Sequence, residues 1–147
     1  MILDRQNLVS DSQAITTTAV STDTIDLSVA RDIGIGDSLK WVVLVTEAFA
    51  GGTSLAIQVI SSANANLSSG NVVVQTPAIV TADLTLGRRP IIIEMSPQHL
   101  LSIPLSQRYL GLNYVVSGTY SAGKVTAGLV LDAQNIGRNY PVGYSII

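Results

Sequence analysis

The stretch Leu55-Ala56-Ile57-Gln58-Val59 alternates large apolar residues with small or polar ones, and its reading decides the fold class. A strand turns successive side chains to opposite faces, so period two places Leu55, Ile57 and Val59 on one face of a sheet. The same alternation returns in Val125-Thr126-Ala127-Gly128-Leu129-Val130-Leu131, where Val125, Ala127, Leu129 and Leu131 are expected to point inward. Turn residues precede both runs: Ala50-Gly51-Gly52 the first, Ser121-Ala122-Gly123 the second.

Outward from these two runs, Val-, Ile-, Thr- and Tyr-rich stretches lie between Gly, Ser, Asn and Asp clusters. The pattern predicts strands at about 13–20, 23–29, 39–49, 53–62, 71–80, 82–86, 90–95, 107–118 and 123–132. Helix signals are nearly absent. Pro90 opens one strand. Pro77 interrupts another, which must be an edge or carry a bulge, because proline cannot donate to a ladder. Trp41-Val42-Val43-Leu44-Val45 and Ile91-Ile92-Ile93 are apolar on both faces, so they belong between two layers or under another subunit. Eight or nine strands at this spacing predict an all-β sandwich; the jelly roll is its eight-strand form, and a Greek key without that winding is the alternative. Three regions follow: an N-terminal segment at 1–12, the jelly-roll β-sandwich at 13–132 and an extended C-terminal arm at 133–147. The arm lacks alternation and holds two Gly and a Pro, yet it is too apolar for a disordered tail.

Composition narrows the function. A chain of 147 residues is one domain, long enough to bury a core without staples. It has no cysteine, which rules out disulfides and thiolate zinc sites and suits a reducing cytoplasm. Charged residues make up 12% of the chain, about half the usual share, and the net charge is −2. The longest basic cluster is Arg88-Arg89, so no electrostatic footprint for nucleic acid exists. Mean hydropathy is +0.42. So few charges cannot cover the surface, and large exposed apolar patches mark contact with other proteins. Asp4 stands where a signal peptide would place its apolar run, and Trp41 to Val45 falls far short of the ~20 residues that cross a bilayer. The expectation is a soluble protein without membrane contact that stays where it is made.

Catalytic and metal chemistry finds little to stand on. The single histidine, His99, reads as a loop residue beside Pro97, with no cysteine or nearby carboxylate to join it. No serine sits in a nucleophile-elbow pattern. Gly34-Ile35-Gly36 lacks the third glycine and the following helix of a nucleotide loop, and reads as a turn. Asp32 and Asp37 do not form the run of a calcium loop. Trp41, Tyr109 and Tyr114 invite a sugar-stacking reading, but they sit in strand patterns where large rings are core or interface residues. No enzyme activity, cofactor or metal is expected.

Several runs resemble the cement (decoration) proteins of tailed phages, typified by that of a Bordetella phage. They are Met1-Ile2-Leu3-Asp4-Arg5-Gln6-Asn7-Leu8 with Ser10-Asp11-Ser12-Gln13-Ala14-Ile15-Thr16, and Ile25-Asp26-Leu27 with Arg31-Asp32-Ile33-Gly34-x-Gly36. Arg108-Tyr109-Leu110-Gly111-Leu112-Asn113-Tyr114 and Gly123-Lys124-Val125-Thr126-Ala127-Gly128-Leu129-Val130-Leu131-Asp132 follow in order. The resemblance implies a jelly-roll subunit that binds the outside of an icosahedral head and pairs with itself over capsomer junctions. It carries over no catalytic or metal residue. Its implied partners are the major capsid protein and a second copy, a homodimer in preference to a trimer. Its implied place is the outer surface of the virion, after synthesis in the host bacterial cytoplasm.

Sheet edges and terminal arms offer unpaired backbone groups to a partner, so the two ends are the candidate contact elements. Leu3, Arg5 and Leu8 represent the first; Ile136, Arg138, Tyr140, Tyr144, Ile146 and Ile147 represent the second. Arg5 and Arg138 would orient contacts and the others bury area. The simpler alternative is that both ends only cover the domain's own core. A reading from another class is a carbohydrate-binding jelly-roll module of a phage fibre or tail, which requires exposed aromatics lining a groove.

Overall fold

A computed structural model describes residues 3–28 and 38–130. Ten strands account for most of them. They are β1 (Leu8–Ala14), β2 (Ala19–Val20), β3 (Ile25–Asp26), β4 (Leu39–Ala50), β5 (Ser54–Ser62), β6 (Asn71–Gln75), β7 (Ile79–Val80), β8 (Ile91–Met95), β9 (Tyr109–Ser117) and β10 (Ala122–Val130). One short helix, α1 (Pro97–Leu101), lies between β8 and β9.

Pairing is antiparallel throughout, in two sheets. The first runs β1-β10-β4-β8. The second runs β2-β9-β5-β6, with β3 also on β9 and β7 also on β5. Taking β2 with β3 and β6 with β7 leaves eight strands. The first sheet then holds the first, last, third and sixth; the second holds the second, seventh, fourth and fifth. That is the winding of a jelly roll, and the Greek-key alternative falls away.

The alternating runs do what their period requires. Leu55, Ile57 and Val59 are fully buried, as are Val125 and Ala127, and Leu129 packs against the same core. Trp41, Val43 and Val45 also face inward, joined by Ile91, Ile93 and Met95 from β8. The Trp41 indole N–H donates to Met95 Sδ at 3.2 Å, which supplies a partner for a fully buried polar group. Pro77 splits its strand into β6 and β7. The edge strand β6 also carries a register shift against β5, so both expectations for that proline hold.

Three elements depart from the sequence reading. The strand expected at 13–20 starts earlier, at Leu8, and ends at Ala14; the chain then turns and resumes as β2. Residues 8–12 thus belong to the sandwich and not to a separate segment. Leu8-Val9-Ser10-Asp11-Ser12-Gln13 hides its strand character because two bulges break the alternation and a buried position holds a serine. The strand expected at 82–86 is a 3-10 turn at Thr81–Asp83; it sends Leu84 into the core, and Leu84 O accepts from Phe49 N–H at 3.0 Å. The stretch around His99 is helical, with Pro97 at its first position, where a missing N–H costs nothing. His99 Nδ1 accepts from the Ser96 backbone N–H at 3.2 Å. The Asp32–Asp37 turn lies outside the described residues, as does Leu131.

The buried serine is explained by a hydrogen-bond chain. Ser10 Oγ donates to Gln13 Oε1 at 2.7 Å and lies 2.8 Å from the Tyr114 hydroxyl. A serine hydroxyl has one proton, so Tyr114 must be the donor to Ser10. Burial pushes the Tyr114 phenol well above its ordinary range. In the unfolded chain a tyrosine loses its proton near pH ~10. A group whose folded pKa is raised stabilises fully below the unfolded value and loses that contribution above it. Stability should therefore hold up to about pH 10 and fall beyond it. Tyr114→Phe should cost about 1–3 kcal/mol at neutral pH and flatten the alkaline fall. Urea midpoints of both proteins from pH 8 to 11 measure this; parallel alkaline slopes would refute the assignment.

Candidate interaction surface

Strand registers gather four segments at one end of the sandwich. Leu8 opens β1 opposite Gly128, Val130 closes β10 opposite Lys40, and Leu39 opens β4 opposite Met95 at the end of β8. In the other sheet Ser62 pairs with Tyr109 and Ser61 with Asn71. The N-terminal turn, the connections 63–70 and 96–108, and the end of β10 at Val130 therefore share this end.

Of the residues expected to make contacts, the structure places three. Leu3 packs on Val42 and Val130, on the outer face of the four-stranded sheet. Leu8 lies against Gly128 on that same face, where an added Cβ would also meet the Asn7 carbonyl oxygen at 2.8 Å. Glycine at 128 is what lets the N-terminal turn approach the sheet so closely. Arg5 sits in a 3-10 turn, Arg5–Asn7, which Asp4 caps by accepting from the Gln6 N–H at 3.1 Å. Its side chain is 84% exposed and pairs with Asp11 at 3.0 Å. Ile136, Arg138, Tyr140, Tyr144, Ile146 and Ile147 lie outside the described residues. Leu3 beside Val130 nonetheless puts the N-terminal segment at the point where the C-terminal one begins.

The connection 96–108 supplies residues that the sequence reading did not single out. Leu101 is 85% exposed and Leu105 89%, the two highest values among the described large apolar residues. Between them Ile103 packs on the core and anchors the loop. Gln107 accepts from the buried Ser61 hydroxyl at 2.6 Å, a second anchor. Two leucines held out from a fixed loop bury nothing at home; such side chains are what an interface core is made of. The available signal was Pro97 and Pro104 framing His99-Leu100-Leu101-Ser102-Ile103, too short and mixed for a strand.

Part of the charge at this end is paired. Arg108 forms a two-pronged pair with Asp26, with Nε to Oδ1 at 2.8 Å, and its guanidinium lies 5.1 Å from the centre of the Tyr109 ring. The Arg108 hydrogen bond, helped by the Ser28 backbone N–H, holds the Asp26 carboxyl below its usual range. Elsewhere Glu47 is held low by Lys124 in the same way. Both pairs are exposed and add little to stability. Among the described residues no three His, Asp or Glu side chains converge as a metal site would need. Of the rings named for sugar stacking, Trp41 and Tyr114 are fully buried, which removes them as platforms, whereas Tyr109 is half-buried.

A family model matches this chain over residues 9–129 and is described as Bbp16. The chain belongs to the Bbp16 family. Bbp16 is a Bordetella phage protein, so the resemblance to phage proteins holds at the level of the family. Membership makes the chain a phage structural protein. The Bbp16 match opens within β1 and closes within β10, so it spans the sandwich and leaves the N-terminal turn and residues 131–147 outside it. No curated protein matches the chain.

Proposed function

We propose that the chain is a capsid cement protein, which binds the outer surface of an icosahedral phage head and bridges capsomers, most simply as a homodimer. The observation that carries this reading is the end of the sandwich just described: Leu101 and Leu105 stand exposed on the connection between β8 and β9, at the same end as the N-terminal turn and the end of β10. Two of the ion pairs near that end, Arg5 with Asp11 and Arg108 with Asp26, are already formed.

The mechanism needs no chemistry. A protein that binds the assembled shell but not its separated parts stabilises the assembly by RT ln(1 + [L]/Kd), roughly 2.7 kcal/mol at a hundredfold excess over Kd. A subunit or dimer that touches two capsomers gains further, because its second contact forms at high effective concentration. Leu101 and Leu105 would supply buried area, Arg5 and Arg138 orientation. Leu3, Leu8, Ile136, Tyr140, Tyr144, Ile146 and Ile147 complete the proposed contact set.

Sedimentation of purified phage heads and tails with the protein tests the proposal. The intact chain should pellet with heads and not with tails. Leu101→Glu together with Leu105→Glu should keep the unfolding midpoint, since neither side chain is buried, yet weaken head binding by tenfold or more. Each buried leucine contributes about 1.5–3 kcal/mol, and tenfold is about 1.4 kcal/mol. Removing residues 136–147 should likewise leave a folded domain that no longer decorates heads. Full head binding by both variants would sink the contact set; binding to tails alone would sink the cement role. The sugar-binding module needs exposed rings; of the three named for it, Trp41 and Tyr114 are fully buried and Tyr109 alone keeps partial exposure.

A further inference from the structure

We infer that two copies of the chain join β8 to β8, antiparallel, with Ile92 opposite the partner's Ile92, so that their four-stranded sheets become one continuous sheet. The inference rests on the homodimer named in the proposed function and adds which edge makes it.

A sheet edge leaves backbone N–H and C=O groups unpaired, and proteins blunt such edges with bulges, prolines or very short strands. The two sheets here end in four edges, and three of them are blunted. β1 meets β10 through two register shifts. β2 and β3 are two residues each. β6 is bulged against β5, and Pro77 parts it from the two-residue β7. The fourth edge, β8, has none of these devices. Its five residues pair with β4 in unbroken register, and no strand among the described residues pairs with its other side. Ile91-Ile92-Ile93 is wholly apolar, and Ile92 is 38% exposed.

The direction of the backbone groups follows from the neighbouring strands. Ile15 N–H donates to the Gly123 carbonyl oxygen at 3.0 Å, between β1 and β10. Hydrogen-bonding direction alternates along an antiparallel strand with period two. Val125, Ala127 and Leu129 therefore turn their backbone groups toward β1, in phase with Gly123. Carried through the registers of β4, the same alternation bonds Trp41 to Ile93 and turns the N–H and C=O of Ile92 to the open side.

Charge selects a second copy as the occupant. Arg88 and Arg89 precede the strand and Glu94 stands near its end, with the isoleucines between them. None of the three forms an ion pair among the described residues. A run that is basic at its start, apolar in its middle and acidic near its end complements itself when reversed, and a two-fold axis performs that reversal. With Ile92 at the axis, Glu94 stands opposite the partner's Pro90 and diagonal to the partner's Arg88, a spacing that long side chains bridge. Ile91 meets the partner's Ile93; both face inward, so the two cores lie on the same side of the joined sheet. So short a seam buries less than a standard interface, and the expected dissociation constant is about micromolar.

Analytical ultracentrifugation of the full chain across the micromolar to millimolar range should show a monomer–dimer equilibrium. Ile92→Pro removes an outward N–H and leaves the β4 ladder complete, a placement that an edge strand tolerates. It should keep the circular dichroism spectrum and weaken dimerisation tenfold or more. The second measurement uses the absence of native cysteine. Hydrogen-bonded residues directly opposite each other have Cα atoms about 5.5 Å apart, within disulfide reach. Ile92→Cys should therefore give a covalent dimer on mild oxidation. Glu94→Cys should not, because its counterpart would lie about 14 Å away. If Ile92→Pro lost its fold, the two cysteine variants would decide alone. A monomer at every concentration overturns the inference together with the homodimer reading, and loss of head binding by a monomeric Ile92→Pro would then assign the edge to a capsid strand. A dimer in which both cysteines crosslink alike, or neither does, overturns the β8 seam and leaves the homodimer standing.

Discussion

Trp41→Ala is expected to lower the stability of the domain by about 3–5 kcal/mol, a large part of the ~5–15 kcal/mol that a domain of this size holds in total. Trp41 is the largest fully buried side chain, set in β4 at the centre of the four-stranded sheet. Truncation removes its contacts with the facing sheet and leaves a cavity that rigid strands cannot close. It also strands Met95, whose sulfur accepts the indole N–H. A shift in urea midpoint read by far-ultraviolet circular dichroism measures the loss. A cost below about 1 kcal/mol would mean that the interior relaxes as a fluid, contrary to close packing. Trp41→Phe, which keeps most of the volume, should cost distinctly less.

The second large effect lies near the start of a strand. Gly123, the second residue of β10, has φ +140°, and a Cβ there would stand 2.4 Å from the Phe49 ring. Phe49 cannot swing aside, because its ring is locked edge-on against Tyr120 with centroids 4.8 Å apart. Gly123→Val should therefore combine backbone strain with overpacking, about 3–5 kcal/mol together. Gly87 provides the control. It too has positive φ, +81°, but nothing lies within 4 Å of an added Cβ. Gly87→Ala should cost about 1 kcal/mol, since left-handed strain is partly offset by the lost freedom of the unfolded chain. Thermal unfolding of the two variants side by side checks the contrast; equal losses would place the whole effect in the backbone and none in the Phe49 contact.

The same pairing of local rule and distant neighbour explains what was legible in advance. The alternation at Leu55 to Val59 announced an inward face, and that face is buried. Pro77 announced a break at an edge, and β6 ends before it. The polar run at 10–13 misled, because Ser10 is buried with Gln13 and with Tyr114 as partners, the second more than a hundred residues away. Hydropathy cannot register a partner of that kind.

The interaction surface divides in the same way. Apolar residues at both ends of the chain mark those ends as candidate contact elements; of those described, Leu3 and Leu8 pack on their own sheet and Arg5 stands in solvent. Leu101 and Leu105 carried no comparable mark. A leucine in a short turn-rich stretch reads alike whether it plugs a core, as Leu84 does, or projects into water.

From sequence alone came everything governed by neighbours a few residues apart: the two-residue period, the glycine and proline punctuation, the shortage of charge, and so an all-β sandwich with more apolar surface than it needs. Tertiary structure decided which strands meet. It placed the first against the last, brought Leu3 onto Val130, and left Leu101 and Leu105 uncovered. The reason is that burial depends on what arrives from across the fold, and a strand's own residues record only which of its two faces is apolar.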